Sequence, residues 1–276
     1  METAAKLSSS ASANSATPLF GKANERRSSS FLLTESAVEF LNDLQLYCLA
    51  FLAPWAGDRT IQSRYPCASE IVPAMFRGES IQRLFRGSGP VRLVLQKYAE
   101  RLHWHQLLFF ADEKMVFYHE PYGTKLGDRA DIVKAFKDSL GPSNGWEFKS
   151  VLVMLQSCGY ECGVWEDFVS EVAVDYATNG GGRGFEAYLR GRAEITPLHG
   201  LRGKKREEAK AKNNSFIAKR RCTARTLLQE ASKHGRLDKA LKAIGHNLDK
   251  GARLDSFASS GSGKKGDEIC ISSDSA

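Results

Sequence analysis

The chain has 276 residues, 42% of them hydrophobic, and a formal net charge of +7; that suits one domain of ordinary size with appendages. Its longest apolar stretch, Leu44 to Trp55, contains Gln45 and is broken at Pro54, so it is too short to cross a bilayer, and the Ser/Ala-rich start lacks the apolar core of a secretory signal. The six cysteines include no Cys-x-x-Cys pair and no second ligand pair at zinc spacing, which argues against a zinc knuckle and reads them as thiols of a reducing compartment.

Residues 1–30 carry few large apolar side chains and are expected to be disordered. Thr34 reads as the N-cap of a helix on which Val38, Leu41, Leu44, Cys48 and Phe51 or Leu52 recur at helical spacing, with Pro54 as its stop. Ile71 to Phe76 and Ile81 to Phe85 read as short helices, followed by a break at Gly87-Ser88-Gly89-Pro90. Val91 to Gln96 and Leu102 to Phe110 read as strands. A polar turn at Asp112-Glu113-Lys114 returns the second of them as Met115 to Tyr118, a hairpin.

Pro121-Tyr122-Gly123 is a loop, and Asp128 is placed to cap a helix carrying Ile132, Val133 and Phe136, ended by Gly141 to Gly145. Phe148 to Leu155 is a nearly unbroken apolar run, the pattern of a buried central strand. Gly163 to Tyr176 reads as a helix with Val164, Phe168, Val172 and Tyr176 on one face, stopped at Asn179-Gly180, and Phe185 to Leu189 as a short one. The expected fold class is α+β, a single domain over residues 31–195 with helices around a sheet.

Residues 196–255 form a basic, partly helical region, with helical pieces at Thr226 to Ser232 and Leu237 to Ile244; residues 256–276 are Ser/Gly-rich and expected to be disordered. Arg202 to Arg253 holds 16 Lys and Arg against 5 Asp and Glu, which leaves the rest of the chain net acidic. A tail of this charge suits a nucleic acid, an acidic partner or an import receptor. Lys204-Lys205-Arg206 and Lys219-Arg220-Arg221 have the form of a bipartite nuclear import signal, which makes a nuclear location the expectation.

A thiol acts as a nucleophile at neutral pH only with help: a histidine to take its proton, a carboxylate to orient that histidine, and a helix N-terminus to favour the anion. Cys162 stands just ahead of the helix beginning at Gly163, whose lack of a side chain would leave room for substrate beside the sulfur. Gln156, six residues upstream, can supply an amide to an oxyanion. His103 opens one strand of the hairpin and Glu120 closes the other, so the pairing returns them side by side. His105 shares a strand face with His103, which leaves a His-x-His metal site with Glu120 as a competing reading.

His103-Trp104, Tyr118-His119-Glu120-Pro121-Tyr122-Gly123 and Gln156-Ser157-Cys158-Gly159-Tyr160-Glu161-Cys162-Gly163 occur in that order, preceded by Leu32-Leu33-Thr34-Glu35. This ordered set resembles the ubiquitin-like-protein protease family, which includes SUMO proteases and the adenovirus protease, over roughly residues 31–180. Leu32 stands where SUMO proteases have Trp. Glu120 stands where they usually have Asp and the adenovirus enzyme has Glu.

The resemblance implies a papain-like cysteine peptidase fold. It also implies a Cys162-His103-Glu120 triad with Gln156 in the oxyanion hole, no cofactor, and a ubiquitin-like modifier or a polyprotein as substrate. An acyltransferase with the same triad and an inactive modifier-binding module are the alternatives. Asp267 to Ser275 resembles a SUMO-interacting motif, in which Ile269 and Ile271 would dock on the modifier's sheet edge.

Overall fold

The computed structural model describes residues 41–77, 84–85, 89–101, 103–124, 129–157, 159, 161–179, 184–240 and 242. The expectations at Leu32, Thr34, residues 81–83, Gly87, Ser88, Asp128, Cys158, Ile269, Ile271 and both chain ends lie outside these residues.

The hairpin read from the sequence is the centre of the sheet. Strand β3 (Leu93–Glu100) pairs antiparallel with β4 (His103–Phe110), and β4 with β5 (Met115–His119). On the far side of β3 two short strands, β1 (Ile61–Ser63) and β2 (Cys67–Ala68), run parallel to it. On the far side of β5 lies β6 (Glu147–Val151), also parallel. Among the described residues the mixed sheet has six strands, and β1 and β6 end its main path.

Strand residues alternate in direction, so each strand feeds two cores. From β4, Trp104, Leu108 and Phe110 join one buried cluster and Leu107 and Phe109 the other. The second cluster is closed by α2 (Val72–Met75) and α3 (Ala130–Ser139), through Val72, Ile132 and Phe136. The first is closed by α1 (Asp43–Leu52), α4 (Cys162–Asn179), α5 (Phe185–Arg190) and α6 (Gly203–Lys233). The architecture is thus α+β, with helices on both faces of a mixed sheet.

Three expectations change. The helix that ends at Leu52 begins at Asp43, capped by Asn42, where a capping box joins the Asn42 and Gln45 side chains and backbones reciprocally (2.8 and 3.0 Å); residues 41 and 42 are not helical. The apolar run from Phe148 is an edge strand that stops at Val151, not a central one. Val153 and Leu155 beyond it are buried in the helix-covered cluster, which makes the run continuous in sequence although the strand is not.

The third change concerns the basic region. Most of it belongs to one helix of 31 residues, α6, whose Ala209, Asn213, Ile217, Ala224, Leu228 and Ala231 form a buried stripe. Ile217, Ala224, Leu228, Ala231, Leu237 and Ala240 enter the same cluster as α1 and α4, so the core continues past residue 195. The second basic cluster is partly committed to that packing. Arg220 pairs with Asp167 and Glu171 (3.2 and 2.7 Å) and stacks over Phe168, while Arg221 is buried; Lys219 is exposed.

Candidate active site

Helix α4 starts where the nucleophile was expected. The Glu161 carbonyl accepts from the Trp165 N–H (2.9 Å), so Cys162 is the first helical residue. Its own N–H is then one of the four that a helix leaves without an internal acceptor, at the positive end of the macrodipole. The role expected for Gly163 is corrected here. A Cβ at this position would lie 3.0 Å from Leu41 Cβ and 3.3 Å from Trp104 Cδ1. The glycine lets the helix start press on the protein's own core, where Trp104 Nε1 donates to the Leu41 carbonyl (2.8 Å), and does not open space for substrate.

His103, the first residue of β4, joins the two other members of the expected triad. Its Nε2–H donates to Glu120 Oε1 (2.5 Å), and its ring also hydrogen-bonds with the Cys162 side chain. Burial works against the imidazolium, but the bonds to Cys162 and Glu120 and their charge outweigh it, so His103 holds its proton well above the usual histidine range. Glu120 shows the converse balance. Burial would raise its pKa, yet hydrogen bonds from His103, Thr124 and the Tyr122 backbone hold the carboxyl below its ordinary value.

Those bonds come from the loop itself. The Tyr122 N–H donates to Oε1 (2.7 Å), and the Thr124 N–H and hydroxyl donate to Oε2 (3.1 and 2.6 Å). The same loop is tied to the segment that carries Gln156. The Pro121 carbonyl accepts from the Leu155 and Gln156 N–H groups (2.8 and 3.0 Å). Gly123 sits at φ +71°, and a Cβ there would fall 2.6 Å from the Met154 nitrogen, so only glycine permits this approach.

Gln156 is buried and reaches the histidine through Tyr122. Its Nε2 lies 3.4 Å from the Tyr122 hydroxyl, and the Tyr122 ring stacks on His103 with centroids 5.1 Å apart. Tyr122, Gly123 and Thr124 thus pack around Glu120 and His103, although their residue types alone read as a loop. The signal present there is the unbroken run Glu120 to Thr124 directly after a strand.

His105 does not join a metal set. Its Nδ1 hydrogen-bonds with the Tyr118 hydroxyl (2.8 Å), its ring stacks on Tyr98 (5.1 Å), and burial together with the neighbouring His103 charge depresses its pKa to about 3. Among the described residues, no group of three or more His, Cys, Asp or Glu side chains is arranged to hold a metal.

Beneath Cys162, α4 is pinned to the sheet by a second buried polar group. Lys97, Gln106 and His119 stand in register across β3, β4 and β5. His119 Nδ1 meets both Glu166 carboxylate oxygens (3.0 and 3.1 Å), and the Gln106 amide bridges the Glu166 carboxylate (2.9 Å) and the Ser170 hydroxyl (2.8 Å). Cys162, Glu166 and Ser170 recur at four-residue intervals, so one helix face carries both the nucleophile and its anchor. Burial lowers the pKa of Lys97 and raises that of Glu166, so each group's ionised form depends on the others.

No family model and no curated protein matches the chain. Among solved structures it is similar in fold to the SUMO protease Ulp1 with its catalytic cysteine oxidized to a sulfinic acid, at 12% identity and a TM-score of 0.43, covering 70% of this chain and 78% of that one. It is similar to the central domain of an uncharacterized Legionella pneumophila protein, at 13% and 0.43, covering 69% and 99%. ChlaDub1 of Chlamydia trachomatis aligns at 10% and 0.42, covering 70% and 96%. At these levels of identity, the chemistry assigned to the site rests on the chain's own geometry.

Proposed function

We propose that the protein is a cysteine peptidase or isopeptidase acting on a ubiquitin-like modifier or a polyprotein. The observation that carries this is His103, bonded to Glu120 at 2.5 Å and also interacting with the sulfur of the residue that opens α4. The proton from Cys162 resides on His103 as the sulfur attacks the scissile carbonyl. The carbonyl oxygen becomes an oxyanion, met by the Cys162 N–H and the Gln156 amide. Collapse breaks the C–N bond, and the leaving amine takes the proton from His103. Water then attacks the thioester, giving its proton to His103, and the acid departs as the thiol re-forms. The choice of modifier is supported by the ordered His-Trp, Glu-Pro and Gln-x5-Cys-Gly blocks alone.

One observation favours the reading of an inactive binding module: Cys162 has no solvent exposure, although the His103 side chain keeps 23% of its own. Modifiers carrying a C-terminal electrophile separate the two readings. Covalent capture lost in Cys162→Ala supports the peptidase; reversible binding without capture supports the module.

Glu120→Gln is expected to cut turnover roughly 100-fold, within the range set by general acid–base catalysis, and to move the alkaline limit of the pH–rate profile downward. The direction comes from the charge balance at the pair. Glu120 stabilises the His103 imidazolium, so its loss lets the proton leave at lower pH. The raised His103 pKa contributes stability that is present below the ordinary histidine value and lost as pH rises through the folded one. The depressed Glu120 pKa contributes stability above its ordinary value, lost as pH falls. An unchanged alkaline limb in the variant would remove Glu120 from the triad.

Nuclear import remains our proposal for the basic clusters. It is supported by exposed Lys204, Lys205 and Lys219, since Arg220 and Arg221 are engaged in the fold.

A further inference from the structure

The segment that carries Gln156 has left the sheet. β6 ends at Val151, and residues 152–157 run on without a strand partner. Their backbone groups are taken up elsewhere: the Met154 carbonyl by the Leu198 N–H (2.8 Å), and the Leu155 and Gln156 N–H groups by Pro121.

The Leu155 carbonyl is taken by a side chain from α6. Asn213 is fully buried, with 0% exposure, and uses both ends of its amide. Its Nδ2 donates to the Leu155 carbonyl (3.0 Å) and to the Thr196 carbonyl (2.9 Å), while Oδ1 accepts from the Thr196 N–H (2.9 Å). The next residue, Asn214, accepts from the Ser157 hydroxyl at 3.1 Å.

Asparagine is a poor choice for a helix interior, since its side chain competes for backbone bonds. At this position it instead satisfies three backbone groups of two separate chain segments, which no apolar residue and no smaller hydroxyl can do at once. The peptide it holds, Leu155–Gln156, is the one whose orientation sets where the Gln156 amide points.

We propose that Asn213 is a positioning residue for the oxyanion hole, holding Gln156 in register with Cys162 from a helix that carries no catalytic group. This rests on the peptidase reading above. A displacement of about 1 Å in such a group costs about 100-fold in rate, so a missing clamp is read in turnover rather than in substrate affinity.

The test compares wild type, Asn213→Ala and Asn213→Ser, each first shown to melt cooperatively; the serine variant keeps one hydroxyl should the alanine variant fail to fold. Two measurements are made. In the first, hydrogen exchange followed by mass spectrometry, the peptide spanning 153–157 is expected to exchange about tenfold faster, with the β3–β4 hairpin unchanged. In the second, hydrolysis of a ubiquitin-like modifier bearing a fluorogenic C-terminal amide, kcat is expected to fall about 10- to 100-fold with KM within about twofold. Exchange at wild-type rates in 153–157 overturns the inference, as does a rise in KM with kcat unchanged. Hydrolysis lost in Cys162→Ala but intact in folded Asn213→Ala overturns it while leaving the nucleophile standing. Hydrolysis that survives Cys162→Ala removes the peptidase reading itself, and the inference with it.

Discussion

Cys162→Ser is expected to lower amide hydrolysis by about 10⁴-fold or more while the protein stays folded, the scale seen when one member of a catalytic unit is removed. The substitution exchanges sulfur for a smaller oxygen at a site with no solvent exposure. The cost in packing is therefore small, and a hydroxyl can still bond to His103. What is lost is the sulfur nucleophile, in exchange for a much weaker hydroxyl.

The variant carries a second signature. Burial depresses the His103 pKa, and the Cys162 bond is the strongest of the influences that raise it, ahead of Glu120. With a neutral hydroxyl in its place, the His103 proton should be lost at distinctly lower pH, as followed by NMR of the imidazole. His103→Ala should match the loss in rate, and the double variant should be no worse than either single one, because the two act as a unit. Wild-type turnover in Cys162→Ser, or losses that add in the double variant, would end the assignment.

The grouping of Cys162, His103 and Glu120 was legible because each residue sits where a local rule puts it. Antiparallel register sets Gln106 opposite His119, where β5 ends, so the next residue, Glu120, returns near the start of β4, and the turn that begins there brings its carboxylate to His103. A helix start fixes Cys162. The contribution of Tyr122 was not legible, since an aromatic residue in a loop gives no sign of which ring it will cover. Gly163 was legible as a requirement but not as to cause: it packs against Leu41 and Trp104, a contact among segments far apart in the chain that no spacing rule encodes. The Lys97, Gln106, His119 and Glu166 group was hidden for a related reason. Each is polar and reads as surface, and only the register of three strands under one helix stacks them together.

Helix α6 departs furthest from what its composition suggests, and its removal is the strongest test of the difference. The chain from Arg202 onward is basic, so it reads as an appendage, yet one buried stripe runs along its long helix from Ala209 to Ala231, mostly apolar and including Asn213 and Arg221. Ile217 and Leu228 have no exposure, and by area each contributes about 1.5–3 kcal/mol. Loss of Asn213 strands the Leu155 and Thr196 backbone groups, at about 1–3 kcal/mol for each group left unpaired in the interior. Together with the alanine stripe and the uncovered faces of α1 and α4, this is comparable to the roughly 5–15 kcal/mol that holds a typical domain together. A chain ending at residue 200 is therefore expected to lose its cooperative thermal transition and its near-ultraviolet circular dichroism. Replacing exposed Lys204, Lys205 and Lys219 by Gln in the full chain should leave both nearly unchanged, because charge on the outer face does not hold the helix down. A truncated chain that melts sharply at the full-length temperature would return α6 to the status of a tail, and a basic helix could then no longer be what orders the oxyanion side of the site.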